Sequence, residues 1–243
     1  MSASEAPVAG PDDWARGLRP VSRSRPAARQ AYDRASRWSR IEEPFERRAQ
    51  LAGIRLLRAQ PSEHVLELGC GAGGALVGLA RRVGPGGRVV GVDISPRMIG
   101  LAAERLRRAG LAGRAEVLAA DASAIPFADA SFDAVFMSFT LELFDTPELP
   151  LVLAECGRVL RPGGRLGVVA LSRAAPVSRL TRLYERLHDR FPATLDCRPI
   201  YARPAIEAAG FGQARSAFVP LWGLRAEAVV ATAGGSREPR RSL

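Results

Sequence analysis

Strand and helix signals alternate through most of this chain, and that alternation predicts an α/β fold: a parallel, doubly wound sheet with helices on both faces. Two observations carry the prediction. Short apolar runs recur from residue 63 to residue 171, and helical periods of about 10–15 residues separate them. The chain also has 243 residues, 47% of them apolar, enough to fill the core of one α/β domain.

The elements follow in order. Residues 1–27 are rich in Pro, Ser, Gly and Arg and are expected to form a mostly disordered arm. Residues 28–59 are expected to form two helices, with Pro44 near the start of the second. Glu63–Leu68 reads as the first strand and Ala75–Val83 as the helix after it. Gly84-Pro85-Gly86-Gly87 is a turn, and Arg88–Val92 the second strand. Pro96–Ala109 is a helix opened by Ser95 as N-cap and closed by Gly110. Ala115–Ala119 and Phe132–Met137 are strands, and Pro147–Leu160 is a helix. Arg161-Pro162-Gly163-Gly164 is expected to turn into a fifth strand, Arg165–Leu171. Pro176–Arg190 and Pro204–Ala209 read as helices. Ala214–Val219 and Glu227–Ala231 read as late strands, and residues 233–243 as a second disordered tail.

Composition narrows the function. The net charge of +10 invites a polyanionic partner, yet all 35 basic residues are arginine. With abundant Ala, Gly and Pro, this bias points to high-GC bacterial codon usage, and nucleic acid is not the expected partner. Cys70, Cys156 and Cys197 have no paired spacing, and His64 and His188 stand far apart, so no disulfide framework and no metal site are expected. No apolar run reaches the ~18 residues of a membrane span, and no signal peptide is visible, so the cytoplasm is the expected location.

Gly69, Gly71 and Gly73 follow the first strand and open a helix, a loop that lets the backbone turn tightly against a ligand. The loop is ambiguous alone. Gly69, Gly71 and Gly74 also satisfy the dinucleotide fingerprint, and Asp93 lies where a dehydrogenase would place its ribose acid. Three features separate the readings. Glu67, two residues before the loop, would repel a pyrophosphate and suits a ligand with a positive end. Asp121 follows the third strand. Arg158-Val159-Leu160-Arg161-Pro162-Gly163-Gly164-Arg165-Leu166 joins the fourth helix to the fifth strand.

Together these residues resemble the class I S-adenosylmethionine-dependent methyltransferases, and among them the ubiquinone/menaquinone-biosynthesis C-methyltransferase group (methyltransferase type 11 domain). Phe132-Asp133-Ala134-Val135-Phe136-Met137-Ser138-Phe139 is similar to that group's fourth strand. The resemblance covers roughly residues 28–232. It implies a Rossmann-like, seven-stranded, mostly parallel sheet with an antiparallel last strand. It divides the domain into a helical lid (28–59), a cofactor-binding core (60–172) and substrate-side helices and strands (173–232). It implies S-adenosylmethionine as cofactor. Gly69, Gly71, Ala72 and Gly73 would line its methionine portion, and Glu67 would face its ammonium. Asp93 would hold both ribose hydroxyls. Ile94 and Met98 would pack on adenine, Asp121 and Ala122 would read the adenine edge, and Ser138 would close the pocket. The alternatives are a surface acid for Glu67, a helix-start acid for Asp93, and turn or capping roles for Asp121 and Ser138.

Methyl transfer needs alignment and a dry pocket, and a general base is optional. The candidates for one are His188, Tyr184, Glu142 and Tyr32. His188 comes first, because imidazole titrates near neutrality. Its alternative is a surface histidine on an amphipathic helix. No Asn-Pro-Pro-Tyr-type tetrad follows the fourth strand, and aromatics make up only 6%, which argues against base-flipping enzymes. Leu180, Leu183, Tyr184, Leu187 and Phe191 recur at helical spacing beside Arg179, Arg182, Arg186 and Arg190. Such a helix covers a sheet or rests on an anionic membrane, so peripheral membrane contact stays open. The segments around Asp196–Tyr201 and Leu221–Leu224 resemble a bacterial subgroup labelled phospholipid N-methyltransferase or quinone C-methyltransferase. That implies a hydrophobic small molecule or lipid as acceptor, with Tyr201 and Trp222 in its pocket or in the core. A nucleic-acid methyltransferase, a non-catalytic S-adenosylmethionine-binding protein and a nicotinamide dehydrogenase are the rival readings. Oligomeric state is not legible.

Overall fold

Seven strands form one sheet in the computed structural model, which describes residues 13–21, 30, 33, 39–174, 179–190, 197–221 and 223–234. The strands are β1 (His64–Leu68), β2 (Arg88–Asp93), β3 (Ala115–Ala119), β4 (Phe132–Ser138), β5 (Leu160–Leu171), β6 (Gly212–Leu221) and β7 (Leu224–Thr232). Their order is β3-β2-β1-β4-β5-β7-β6. The first five run parallel, Leu66 standing between Val90 and Val135. The last strand, β7, is antiparallel to both neighbours. This is the Rossmann-like sheet that the resemblance implies. The chain winds outward from β1 to β3, then returns to place β4 on the other side of β1. The carboxyl ends of β1 and β4 therefore flank a topological switch point, where sheets of this kind bind ligands.

Side-chain alternation splits the core in two. On one face Val65, Val89, Ala134, Phe136 and Val169 meet α1 (Ser39–Leu57), α2 (Gly74–Val83) and α3 (Pro96–Arg108) through residues such as Ile54, Leu79 and Leu106. On the other, Leu66, Val90, Val135, Met137 and Val168 meet α4 (Leu149–Val159) and α6 (Ala202–Ala208). Between these two helices in sequence lies α5 (Arg179–Arg190). Ser95 caps α3 as expected, its hydroxyl accepting from Met98 N–H at 3.1 Å.

Several expectations need correction. Within the expected N-terminal arm, residues 13–21 are described: Trp14, in a 3-10 turn at Asp13–Ala15 that contacts α6, and Leu18 pack on the core. Pro44 lies inside α1, which begins at Ser39. Arg161–Gly164 is a bulge within β5 and not a free turn. Leu160 pairs with Phe132 and Arg165 with Ala134, so Asp133 alone faces the extra residues. Both late strands run longer than their apolar runs, since β6 and β7 continue their hairpin pairing through Pro220–Arg225 to Leu221–Leu224.

Three arginines from the Arg158–Leu166 stretch tie down the edge of the sheet opposite the switch point. Arg158 holds Glu155, Asp129 and the carbonyls of Ile125 and Phe127. Arg161 pairs with Asp133, whose other oxygen accepts His64 N–H at 2.8 Å. Burial alone would raise the Asp133 carboxyl, but these donors hold it below its usual value. Arg165 bonds Glu63 and the carbonyl of Leu57. The stretch is structural, and it lies away from the ligand crevice.

Candidate cofactor and active site

The glycine loop is built by close approach. Gly69, Gly71 and Gly73 all have positive φ, at 66°, 50° and 80°. A Cβ on Gly69 would lie 2.3 Å from the Thr140 side chain, so the turn after β1 and the turn after β4 fit only without one. A Cβ on Gly73 would press on Ala102 of α3. At Gly71 the same position meets nothing within 4 Å, so the loop faces open space there.

Asp93 is fixed from both sides. One oxygen accepts Gly71 N–H at 2.8 Å and the other Ser95 N–H at 2.9 Å. Each oxygen keeps a lone pair for a ligand hydroxyl. Burial raises this carboxyl, the two N–H groups pull it back, and Asp33 adds repulsion. Asp33 itself accepts the Ser95 hydroxyl, which brings the segment before α1 to the site. Nothing local to either residue signals a contact 62 positions away, so the sequence alone does not reveal this bond.

Glu67 is 2% exposed, and its Oε2 has no hydrogen-bond partner. Burial first, and the charge of Asp93 second, push its carboxyl well above the ordinary value. An unsatisfied buried carboxylate is costly unless a cation meets it. On β4, buried Ser138 also has an unpartnered Oγ. The Cys70 thiol is driven up by burial and by Glu67 and Asp93, which leaves it a neutral packing group. Glu67, Asp93 and Asp33 thus make the crevice acidic, unfit for a pyrophosphate and suited to a ligand with a positive end and vicinal hydroxyls.

Residues 65–164 match the family described as a methyltransferase domain. Over those residues the chain carries a methyltransferase domain. It is 34% identical over 140 residues to the demethylmenaquinone methyltransferase of Lactobacillus johnsonii, covering 57% of this chain and 56% of that one. It is 34% identical over 181 residues to the nocamycin O-methyltransferase of Saccharothrix syringae, covering 67% and 64%. The chain thus spans little more than half to just under two thirds of these relatives' length. Among solved structures, a SAM-dependent methyltransferase from Aquifex aeolicus superposes with TM-score 0.58 at 24% identity, over 80% of this chain and 93% of that one. The [4+2]-cyclase SpnF superposes with TM-score 0.63 at 18% identity, over 89% and 99%, sharing the fold.

Within the methyltransferase domain the other expected cofactor residues are placed as follows. Ala72 and Ile94 are half-buried, in the loop and just past β2, and Met98 is buried on α3. Asp121 accepts both the N–H and the hydroxyl of Ser123 at 2.8 Å through Oδ1, so it makes the turn that was its alternative reading. That leaves Oδ2 outside the turn. The Ala122 side chain is in the core, and any ligand contact from it comes from main chain.

The base candidates fare differently. Glu142 is wholly buried and accepts Leu171 N–H at 3.1 Å, a bond that fixes the end of β5 and leaves no exposed carboxylate for catalysis. The Tyr184 hydroxyl donates to the carbonyl of Cys197 at 2.8 Å. His188 is 5% exposed, not the surface histidine of the alternative reading, because α5 turns its polar side inward. Tyr201 stacks under Arg173 and receives its Nη1 at 3.0 Å. Tyr32 and Trp222 lie outside the described residues. No cluster of metal-binding side chains occurs among the described residues.

Sequence reasoning also passed over Arg198. It is fully buried and bonds the carbonyls of Glu142, Phe144 and Arg19 and the hydroxyl of Thr146. It locks the turn after β4 to the N-terminal segment. Its only sequence signal is an arginine among apolar residues, too weak to single out.

Proposed function

We propose that the protein transfers a methyl group from S-adenosylmethionine to a hydrophobic small molecule of quinol-like type. The observation that carries the donor half is buried Glu67, with an unpartnered oxygen beside a glycine loop that opens on free space. S-adenosylmethionine supplies an electrophilic methyl on a sulfonium sulfur. Glu67 would hold its ammonium, Asp93 its ribose hydroxyls, and Gly69, Gly71, Ala72 and Gly73 its methionine end. Ile94 and Met98 would pack on adenine, Asp121 and Ala122 would meet its edge, and Ser138 would close the pocket.

The chain's part in the reaction is alignment and exclusion of water. Gly69 abuts Thr140 at the turn, and two N–H groups already orient Asp93. Such preorganisation can supply ~7–11 kcal/mol of a displacement barrier. His188 is the base to test first for an acceptor that must lose a proton.

The acceptor reading rests on relatives named for demethylmenaquinone and 2-phytyl-1,4-naphtoquinone methyl transfer. The rival nucleic-acid reading loses ground because Arg158, Arg161, Arg165, Arg173 and Arg198 are engaged in internal bonds. Labelled-methyl transfer into a lysate of the source organism, followed by solvent partition, tests the proposal. Label should enter the organic phase. Label confined to nucleic acid, or donor binding with no transfer, would overturn it.

A further inference from the structure

An amphipathic helix that covers a sheet normally turns its leucines inward. Helix α5 does the reverse. Thr181, Glu185 and His188 are 7%, 5% and 5% exposed, while Leu180, Leu183 and Leu187 are 43%, 49% and 41% exposed. The inversion is held by polar contacts: Glu185 accepts Arg173 Nε at 2.7 Å, and Tyr184 donates to the carbonyl of Cys197. Arg182, Arg186 and Arg190 are exposed along the neighbouring side of the helix. The outer half of α5 is therefore a leucine stripe beside an arginine stripe.

The helix sits at the carboxyl edge of the sheet, the edge that carries the glycine loop. Arg173 lies just past β5, and Leu180 reaches the β6–β7 turn, where a Cβ on Gly223 would come within 2.3 Å of it. The same hairpin repeats the chemistry. Phe218 on β6 is 44% exposed, with the Arg225 guanidinium 4.3 Å over its ring. No helix among the described residues is long and apolar enough to cross a membrane.

We propose that α5 docks the protein on the surface of an anionic lipid bilayer. Charge decides among occupants. A second copy packed symmetrically on this face would bring like arginine stripes together, which disfavours it. An anionic headgroup layer over an acyl boundary satisfies both stripes at once: arginines meet phosphates, and leucines enter the apolar layer. Docked this way, the carboxyl edge of the sheet faces the phase in which a hydrophobic acceptor dissolves.

Vesicle flotation of the full chain tests this without donor or acceptor present, so its failure would leave the methyl-transfer reading standing, and the reverse holds too. The chain should float with phosphatidylglycerol-containing vesicles and bind pure phosphatidylcholine about tenfold or more weakly. L183E/L187E should weaken flotation about tenfold or more, and R182A/R186A should weaken it and flatten its salt dependence. Both pairs are exposed, so far-ultraviolet dichroism and melting should match the parent. No flotation of the parent, equal flotation of the variants, or a dimer in light scattering that L183E/L187E dissolves would overturn the proposal.

Discussion

At the scale of single residues, Glu67 and Asp93 divide the work. Glu67 is a buried carboxyl with one unpartnered oxygen, pushed toward its neutral form by burial, whereas Asp93 is already oriented by two N–H groups. A ligand ammonium would favour the charged form of Glu67, so binding should release a proton wherever the raised carboxyl is still protonated. Calorimetry in buffers of different ionisation enthalpy should show that release with S-adenosylmethionine, and E67Q should abolish it. The same substitution should weaken binding by about 30-fold or more, the cost of leaving a buried charge unpaired. Buffer-independent enthalpy in the parent would remove Glu67 from the ammonium site. For D93A, two lost hydrogen bonds from a charged group predict a loss of about 100-fold or more. Affinity retained within about threefold, well under the cost of one such bond, would sink the ribose assignment. G69A has a different cause: its Cβ would strike Thr140, so both donor affinity and melting temperature should fall.

At the scale of elements, Arg198 is the most consequential side chain that the sequence reading did not find. It joins the N-terminal segment, the turn after β4 and the segment before α6. R198M would leave three carbonyls without a donor, at about 1–3 kcal/mol each when buried. The expected fall in melting temperature is about 6 °C or more, and R198K should recover only part, since an ammonium cannot fan across four acceptors. A change under about 2 °C, less than one such bond predicts, would show the clamp to be dispensable. The contrast with the strands is instructive. Val65–Leu68 and Val89–Val92 declare themselves locally, because central strands are apolar on both faces. The glycine loop, Asp93 and the Ser95 cap were legible for the same reason, each being a short-range pattern. The β5 bulge, the packing of Trp14 and Leu18, the Asp33–Ser95 bond and the inverted α5 were not. Each depends on a partner remote in sequence, and the spacing of α5 alone fixes its stripes without saying which one faces in.

At the scale of the molecule, the carboxyls at the two edges of the sheet keep different company. Arg161 and Arg165 brace the edge of the sheet where β1 and β4 begin, while Glu67, Asp93 and Asp33 crowd the other edge. This difference predicts how stability varies with pH. Asp133 and Glu155 are held below their ordinary values in the folded chain, Asp133 against its burial by Arg161 and His64, and Glu155 chiefly by Arg158. Their stabilisation is complete above the unfolded values of 3.8 and 4.5 and is lost as pH falls through the folded ones. Glu67 and Asp93 have the opposite sign. Their folded values are raised, so the protein without ligand binds more protons folded than unfolded above pH 4.5, and stability falls as pH climbs through the raised values. The ligand-free protein should therefore be most stable in mild acid and weaken toward neutrality. The S-adenosylmethionine ammonium would pair with ionised Glu67, so its stabilisation should grow with pH over the same interval, beyond mass action at fixed affinity. Thermal melts from pH 4 to 9, with and without the donor, should show the two curves diverging, and E67Q should remove much of the ligand-free decline. A ligand-free curve flat from mild acid through neutrality would mean that water or a neighbouring cation already satisfies Glu67, and the electrostatic case for the ammonium site would fall with it.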